Sequence, residues 1–429
     1  MERVVLLLLL LPVCCGHSDY QGKVMTYYTL ETYSDGSVLM VIRYKSNSKR
    51  CYINNNWCPP DGCFQVSYSF DRIYYSAEGF CQFDSIWTRN ASSQAPFMMK
   101  SKSDLWTSPI VNEVTVAGAS IVVDLRKRSD TGQANRCPQT TILPVFRVPY
   151  NCPRDIQLLS FDPDGDLVQC RFANDEIDPA ECANCTLPSV LSLSSSCTLS
   201  FRLSSSSSQG RYAVQLVMED FPRTQITLSQ TNGQQEVKDN TTSISKIPVQ
   251  FLFLVEDAAP SCTLGRFLPE FIPPTPEHGT EIGVQVHETV DIQIEVQAED
   301  ARAWELLLSG PSRINVTGSG GHYVLTWTPD QAEDGQSHPV CFSAQAFVKQ
   351  VEANYTSRLR CVIITVGKVV NKVWLLSPAP LPEEALRSAL VKKVKMELVK
   401  LGLRINVSLV NRILKSPPAK SPPAACQNL

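Results

Sequence analysis

Three aspartates surround a glycine in the stretch FDPDGDLVQCRF, at Asp162, Asp164 and Asp166. Alternating carboxylates are typical of calcium-binding loops, because Ca²⁺ prefers oxygen ligands. An EF-hand loop, however, requires glycine at its sixth position and a bidentate glutamate at its twelfth. Counted from Asp162, Gly165 comes fourth and Ala173 twelfth, so the spacing excludes an EF-hand.

A hairpin turn accounts for the same residues. Pro163 fixes the backbone angle φ at the second turn position, and Gly165 is able to adopt a left-handed conformation. The alternation of apolar residues from Val168 to Phe172 then predicts a strand. We predict a plain turn, with little effect of calcium and little effect of Asp164→Ala on thermal stability. The alternative is a surface calcium site with three ligands, Asp162, Asp164 and Asp166.

Motifs for catalysis are missing from the sequence. The C-x-x-C pair at Cys182 and Cys185 has no second pair at zinc spacing, which favours a structural disulfide region. The stretch HETVD at His287 does not match H-E-x-x-H, and no G-x-S-x-G elbow occurs. We predict that the protein is not an enzyme and has no cofactor.

Aromatic residues cluster in the stretch YINNNWCPPDGCFQVSYSFDRIYYSAEGFCQFDSIW. Tyr52, Trp57 and Trp87 are candidates for a face that binds a glycan or a protein, since aromatic side chains supply much of the binding energy at interfaces. Trp57, which follows three asparagines, is the best candidate for an exposed position. The alternative is that the strand aromatics fill a small core held by cysteines.

The first residues, MERVVLLLLLLPVCCG, have the composition of a secretory signal peptide with cleavage after Gly16. No later apolar stretch is long enough for a membrane-spanning helix, and the C-terminal KSPPAKSPPAACQNL lacks the hydrophobic tail of a GPI signal. The net charge of -3, with acids and bases intermixed, gives no basic footprint for nucleic acid. We expect a secreted, extracellular protein without a transmembrane segment.

N-x-S/T sequons are spread over the chain and predict a glycoprotein. They are Asn90, Asn184, Asn240, Asn315, Asn354 and Asn406. At Asn184 the middle residue is Cys185, so disulfide formation would compete with glycan transfer at that sequon.

Of the 16 cysteines, all but two follow the signal peptide, which predicts disulfides formed in an oxidising compartment. They fall in local sets: Cys51, Cys58, Cys63 and Cys81; Cys137 and Cys152; Cys170, Cys182, Cys185 and Cys197; Cys262, Cys341 and Cys361; and Cys426. If bridges stay within domains, the set of three leaves one cysteine over: Cys341 and Cys361 pair, or one of them takes Cys262. We predict that Cys426 bonds to the remaining cysteine or forms an intermolecular bridge, which would give a disulfide-linked oligomer.

Apolar and polar residues alternate with period two from Val24 to Val366, most clearly in TVDIQIEVQAED. Such strands, separated by Gly, Pro, Asn and Ser clusters, predict a mainly β fold of tandem antiparallel sandwich-like domains with disulfides. Near the end, PLPEEALRSALVKKVKMELVKLG predicts one helix, packed on flanking strands or, alternatively, on an anionic membrane. The predicted order is a signal peptide at 1–16, a cysteine-containing β domain at 17–148, a DGD-containing β domain at 149–260, an immunoglobulin- or cadherin-like sandwich at 261–367, a strand-helix-strand unit at 368–412 and a proline-rich tail at 413–429.

Several phrases together resemble a largely uncharacterised family of secreted or ectodomain proteins of fish and invertebrate chordates. They are VDLRKRSDTGQANRCPQTTILPVFRVPYNCP, FDPDGDLVQCRF, YAVQLVMEDF, YVLTWTPDQ, CFSAQA and RLRCVIITV. The resemblance covers most of the mature chain. It implies a DGD-containing β module followed by an immunoglobulin- or cadherin-like β domain, and it implies no chemistry.

The sequence thus predicts a secreted, glycosylated, disulfide-linked β protein that acts by binding an extracellular protein or glycan, in recognition, adhesion or defence. A structural component of an egg coat, mucus or matrix is the alternative. A secreted hydrolase ranks third, because paired carboxylates for glycoside cleavage meet only in the fold.

Overall fold

The computed structural model describes residues 20–49, 68–75, 81–92, 95–101, 104–202 and 205–367. In these ranges the chain is mainly β, and its helical elements are two 3₁₀ turns, Ser206–Ser208 and Gln331–Glu333. The predicted mainly β fold with disulfides is confirmed. The signal peptide, the strand-helix-strand unit, the proline-rich tail and the candidate residues Tyr52 and Trp57 lie outside the described residues. No helix in the described ranges is long and apolar enough to cross a membrane.

The N-terminal part, defined as residues 20–256, is built around one large sheet. Its strands are β1 Tyr20–Thr32, β2 Ser37–Ser48, β3 Tyr68–Tyr75, β4 Cys81–Ser92, β5 Phe97–Lys100, β6 Asp104–Leu105, β7 Val116–Ala117, β8 Ser120–Val123, β9 Lys127–Arg128, β10 Val145–Pro149, β11 Arg154–Gln157, β12 Leu167–Phe172, β13 Leu191–Leu193, β14 Thr198–Phe201, β15 Gly210–Phe221, β16 Ile226–Ser229, β17 Gln235–Lys238 and β18 Lys246–Glu256. The large sheet has the order β12-β15-β18-β1-β2-β4-β3, with β8 and β10 also paired to β18 and β5 paired to β8. Smaller sheets have the orders β11-β14-β13, β17-β16-β9 and β6-β7.

The predicted boundary near residue 148 does not separate two sheets. Strand β18 pairs antiparallel with β1 from the first predicted domain and with β15 from the second. The proline-rich stretch that suggested a junction contains β10 itself, which runs parallel to β18 and ends at Pro149. Proline is tolerated at strand ends, because a missing N–H breaks few ladder bonds there. The sequence pattern was therefore a strand end rather than a linker.

The C-terminal part, defined as residues 262–367, is a β-sandwich. Its strands are β19 Glu270–Ile272, β20 Thr280–Val284, β21 Val290–Gln297, β22 Arg302–Ser309, β23 Asn315–Ser319, β24 His322–Trp327, β25 Ser337–Val348, β26 Ala353–Thr356 and β27 Arg360–Val366. One sheet has the order β19-β21-β24-β23 and the other β20-β27-β25-β22, with β26 paired to β25. In β21, Ile292 and Ile294 are buried between the sheets while Asp291 and Gln293 are exposed, as the alternation predicts.

The two parts share buried contacts and fall in one compact unit. The main core of the N-terminal part also includes Leu307 and Ile363 from the C-terminal part. Between the parts, the buried ammonium of Lys45 donates to the carbonyl of Gly310. The C-terminal sandwich also has a core of its own, formed between its two sheets by residues from Phe271 to Val366, so the boundary near residue 260 separates two cores that touch where the parts meet.

Four disulfides are described: Cys152–Cys262, Cys170–Cys197, Cys182–Cys185 and Cys341–Cys361. The first of them corrects the assumption that bridges stay within predicted domains, because Cys262 bonds to Cys152 over 110 positions of sequence. A bond between Cys426 and Cys262 is therefore excluded, and Cys426 itself lies outside the described residues. Cys81 is also disulfide-bonded, while Cys51, Cys58 and Cys63 lie outside the described residues.

Candidate functional site

The aspartate loop forms the predicted turn. The backbone N–H of Gly165 donates to the carbonyl of Asp162 over 3.2 Å, and Gly165 has a φ of +88°, in the left-handed region. The Oδ1 atom of Asp162 accepts hydrogen bonds from the backbone N–H groups of Asp164 and Asp166, at 2.8 and 3.2 Å. This arrangement is an Asx-turn, and it fixes the orientation of the Asp162 carboxylate.

The loop is buried, so the alternative of a surface site formed by Asp162, Asp164 and Asp166 is wrong. Asp162 is 4% exposed, Asp166 is 7% exposed and the side chain of Asp164 is 1% exposed. Asp164 Oδ2 accepts a 2.7 Å hydrogen bond from the backbone N–H of Arg136, and its Oδ1 accepts one from the Arg136 guanidinium at 3.4 Å. Asp164 is therefore an anchor for the segment around Arg136.

A third carboxylate, which the sequence analysis missed, comes from strand β15. Asp220 is fully buried, and one of its carboxylate oxygens lies within 4.8 Å of oxygens of both Asp162 and Asp166. We call Asp162, Asp166 and Asp220 the aspartate cluster. Strand β15 is buried on both faces from Tyr212 to Met218, and by the strand alternation Asp220 lies on the same face as the core residues Leu216 and Met218. An aspartate at an inward position of an apolar strand was the signal in the sequence.

Neutral groups hold the Asp220 carboxylate. Its Oδ1 accepts hydrogen bonds from the backbone N–H and the hydroxyl of Ser245, at 2.6 and 2.8 Å. Its Oδ2 accepts one from the side-chain amide of Asn135 at 3.0 Å. No ion pair to Asp220 is present within the described part of the chain.

Arg128 is the cation that reaches the aspartate cluster. Its side chain is fully buried and binds both oxygens of Asp166, with 2.7 Å between Nη2 and Oδ1. The same guanidinium donates to Asn135 Oδ1 at 2.7 Å and to Asp130 at 2.8 Å. Arg128 also lies 3.9 Å from Asp164 Oδ2, so its one positive charge is divided among three carboxylates, and it makes no hydrogen bond to Asp162 or Asp220.

Electrostatics in the aspartate cluster disfavour negative charge. Burial, together with the charges of Asp166, Asp164 and Asp220, raises the pKa of Asp162 well above its ordinary value. Burial and the nearby Asp166 charge raise the pKa of Asp220 to about 7. The Oδ2 atom of Asp162 has no hydrogen-bond partner among the described residues. A buried carboxylate oxygen without a partner is costly, so this atom marks the centre of the candidate site.

A thiol lies beside the cluster but is not reactive. Cys137 is buried and is the one cysteine in the described ranges without a disulfide. Its Sγ accepts a 3.0 Å hydrogen bond from the backbone N–H of Tyr27, and burial raises the pKa of the thiol well above its usual value. Cysteine reactivity requires the thiolate, so Cys137 acts as a structural residue.

The other predicted site residues are placed as follows. Trp87 is half-buried and packs against the main core, with its ring centroid 6.1 Å from that of Tyr44. The sequons Asn90, Asn240 and Asn315 are exposed. Asn184 and Asn354 are half-buried. Asn406 lies outside the described residues.

No family model matches this chain, and no curated protein matches it. Among solved structures, it is similar to four cadherin domains of Drosophila N-cadherin (11% identity, 71% of this chain and 69% of that chain, TM-score 0.21). It is also similar to the insect immune protein hemolin (11% identity, 81% and 73% of the chains, TM-score 0.16). An endo-fucoidan hydrolase of glycoside hydrolase family 107 matches with 12% identity over 76% of this chain, which spans 42% of that enzyme, at a TM-score of 0.19. At such scores none of these similarities carries an argument about function.

Proposed function

We propose that this protein is a secreted glycoprotein that acts by binding other macromolecules outside the cell. The observation that supports this best is the disulfide Cys152–Cys262, which joins the N-terminal and C-terminal parts. Disulfides between distant segments are stable in oxidising compartments and rare in reducing ones. Exposed sequons such as Asn90 and Asn315 are accessible to glycan addition, as expected for an extracellular chain.

A rigid scaffold suits a binding protein, because a surface that is already ordered loses little entropy when a partner binds. Near the Cys152–Cys262 bridge, Arg154 donates a 2.9 Å hydrogen bond to the carbonyl of Thr356. The hydroxyl of Tyr355 donates to the carbonyl of Ala258 at 2.9 Å. The disulfide and the Arg154 bond join the two parts directly, and the Tyr355 bond attaches the C-terminal part to the segment between them.

The proposal is tested by presenting the secreted protein as a tetramer to a glycan array and to a library of cell-surface receptors. We expect saturable binding to one ligand class that heat-unfolded protein does not show. Trp57→Ala in the same assay tests the predicted aromatic contact and should reduce binding at least tenfold if Trp57 is an anchor. Absence of any saturable ligand on both panels would contradict the proposal.

Light scattering coupled to gel filtration tests the alternative of a structural coat or matrix component. A monodisperse monomer supports a binding protein, whereas concentration-dependent polymers favour the structural role. The hydrolase alternative would be established by turnover of a polysaccharide that a single Asp or Glu substitution abolishes.

A further inference from the structure

Negative charge is in excess around the aspartate cluster. Four buried carboxylates, those of the cluster and that of Asp164, face two guanidinium groups, those of Arg128 and Arg136. Arg128 also binds the more exposed Asp130, so no positive charge is left over for Asp162 or Asp220. Two uncompensated carboxylates in a buried site equal the charge of one divalent cation.

The geometry independently points to a ligand. Asp162 is 4% exposed and its Oδ1 is held by two backbone N–H groups, so its unpartnered Oδ2 has little freedom to turn elsewhere. One oxygen from each member of the cluster lies within 4.8 Å of the other two. Oxygens bound to one Ca²⁺ at about 2.4 Å are at most about 4.8 Å apart, so the spacing fits a shared ion.

We propose that the aspartate cluster is a buried calcium site, with Asp162, Asp166 and Asp220 as its carboxylate ligands. Asp162 supplies the otherwise unpartnered oxygen, and Asp220 supplies the second uncompensated charge. Asp166 is oriented by Arg128, which binds both of its oxygens and leaves further lone pairs available. The ion would join the aspartate loop to strand β15 and thereby stabilise the large sheet at its β12 edge.

Calcium fits this site better than magnesium. Mg²⁺ retains several waters and demands octahedral geometry at about 2.1 Å, whereas Ca²⁺ tolerates irregular sites of six to eight oxygens. Each carboxylate of the cluster brings one oxygen to the shared position, and backbone carbonyls, which Ca²⁺ also accepts, would complete its shell. The burial of the three carboxylates leaves little room for the waters that Mg²⁺ would carry.

The alternative to a bound calcium ion is a proton on one of the carboxylates. A neutral Asp162 would donate from Oδ2 to Asp166 or Asp220 and remove one negative charge. The substitution Asp162→Asn distinguishes the two, because its amide preserves the shape and donates a hydrogen bond as the protonated acid would, yet it binds calcium poorly. Glu219→Gln is the matched control, since Glu219 precedes Asp220 on β15 but binds Arg171 instead, at 3.1 Å.

The test uses full-length secreted protein stripped with EDTA, with thermal unfolding followed at pH 7.4 in EDTA, in 1 mM CaCl₂ or in 1 mM MgCl₂. We expect calcium to raise Tm of the wild type and of Glu219→Gln by about 3 °C or more, magnesium to have a smaller effect, and Asp162→Asn to lose the calcium response. Calorimetric titration of the stripped wild type with CaCl₂ adds a readout that needs no variant. It should show saturable binding.

Two results would overturn the site. If the wild type neither binds calcium in the titration nor shifts in Tm, the aspartate cluster holds a proton and no calcium ion. Asp162→Asn should then match or exceed the stability of the wild type in EDTA. A calcium shift of equal size in the wild type and in Asp162→Asn would place the ion elsewhere in the chain. These outcomes are independent of partner binding.

Discussion

Strand β15 contributes a carboxylate to each of two charged clusters, which differ in how their charges are balanced. On one face Glu219 joins a network in which Arg171 binds Glu181 at 2.7 Å and Lys246 binds both Asp178 and Glu181 at 2.8 Å. On the other face the next residue belongs to the aspartate cluster. In the first network every carboxylate has a cationic partner, while in the second Asp162 and Asp220 have no ion pair to any residue that the structure describes.

The pKa values of the carboxyl groups shift in opposite directions because of that difference. Burial alone would raise the pKa of Glu181, but hydrogen bonds from Arg171 and Lys246 outweigh it and leave the pKa lowered. At Asp162 burial and neighbouring carboxylates act in the same direction and raise the pKa. The balance of charges, rather than the density of acidic residues, therefore separates an ion-pair network from a candidate cation site.

The largest expected effect comes from removing the buried guanidinium. Arg128→Met leaves the Asp166 carboxylate without its charge partner, and we expect a loss of about 3–5 kcal/mol in the free energy of unfolding or a failure of secretion. Arg171→Met should cost less, about 1–2 kcal/mol, because Lys246 still binds Glu181 and the Arg171 side chain is 25% exposed. Urea unfolding of both variants in EDTA measures the difference. Equal losses of stability in the two variants would contradict the proposed difference between the two charged clusters.

Asp164→Ala is expected to have the next largest effect. Although the turn alone suggested near neutrality, Asp164 holds the backbone N–H of Arg136, and we predict a loss of about 1–3 kcal/mol. Asp155→Ala is the control, because Asp155 is 59% exposed and its ion pair with Arg202 should contribute less than about 1 kcal/mol. Thermal unfolding checks both. A neutral Asp164→Ala would restore the interpretation of a plain surface turn.

The sequence predicts the parts of this site that depend on neighbouring residues, and it does not predict the parts that depend on residues far apart in the chain. The turn at Gly165 and the following strand were predictable, because Pro163 and Gly165 determine local backbone geometry. The burial of the loop was not, because it depends on Arg128 and Asp220, which approach from segments far away in the sequence. Local patterns carry no information about such pairings.

The disulfide pairings were likewise predictable only where the two cysteines lie on neighbouring strands. Cys341 and Cys361 face each other on the neighbouring strands β25 and β27. The alternation of apolar and polar residues predicted both strands, so this disulfide was one of the pairings that the sequence suggested. Cys152 and Cys137 stand close in sequence but do not pair, because Cys137 is buried against Tyr27 while Cys152 faces the C-terminal part. Proximity in sequence was a poor guide where two parts of the molecule meet.

A smaller effect concerns a buried histidine that lies among cations. His338 is buried on β25, and its Nδ1 lies 2.8 Å from Arg43 Nη1, with Lys45 and Arg313 as further cations. Burial, followed by these positive charges, holds the pKa of His338 well below its ordinary value. The unfolded chain therefore takes up a proton below about pH 6.5 that the folded chain does not, so stability is lost as pH falls.

The variant His338→Gln should remove this contribution to the pH dependence. Between pH 7.5 and 5.5 we expect the wild type to lose about 1 kcal/mol more than the variant, because each pH unit below the unfolded pKa is worth about 1.4 kcal/mol. Glutamine keeps an acceptor for Arg43 and has no titratable group. Parallel pH profiles for the two proteins would mean that His338 takes up its proton in the folded state.

The calcium content of the protein tests the central claim most directly. Wild type and Asp162→Asn, both secreted into calcium-containing medium and purified without chelator, are measured by plasma mass spectrometry against protein concentration. A buried site in the aspartate cluster predicts one more calcium per chain in the wild type than in the variant. Equal calcium contents would contradict it and leave a proton as the occupant beside Asp162.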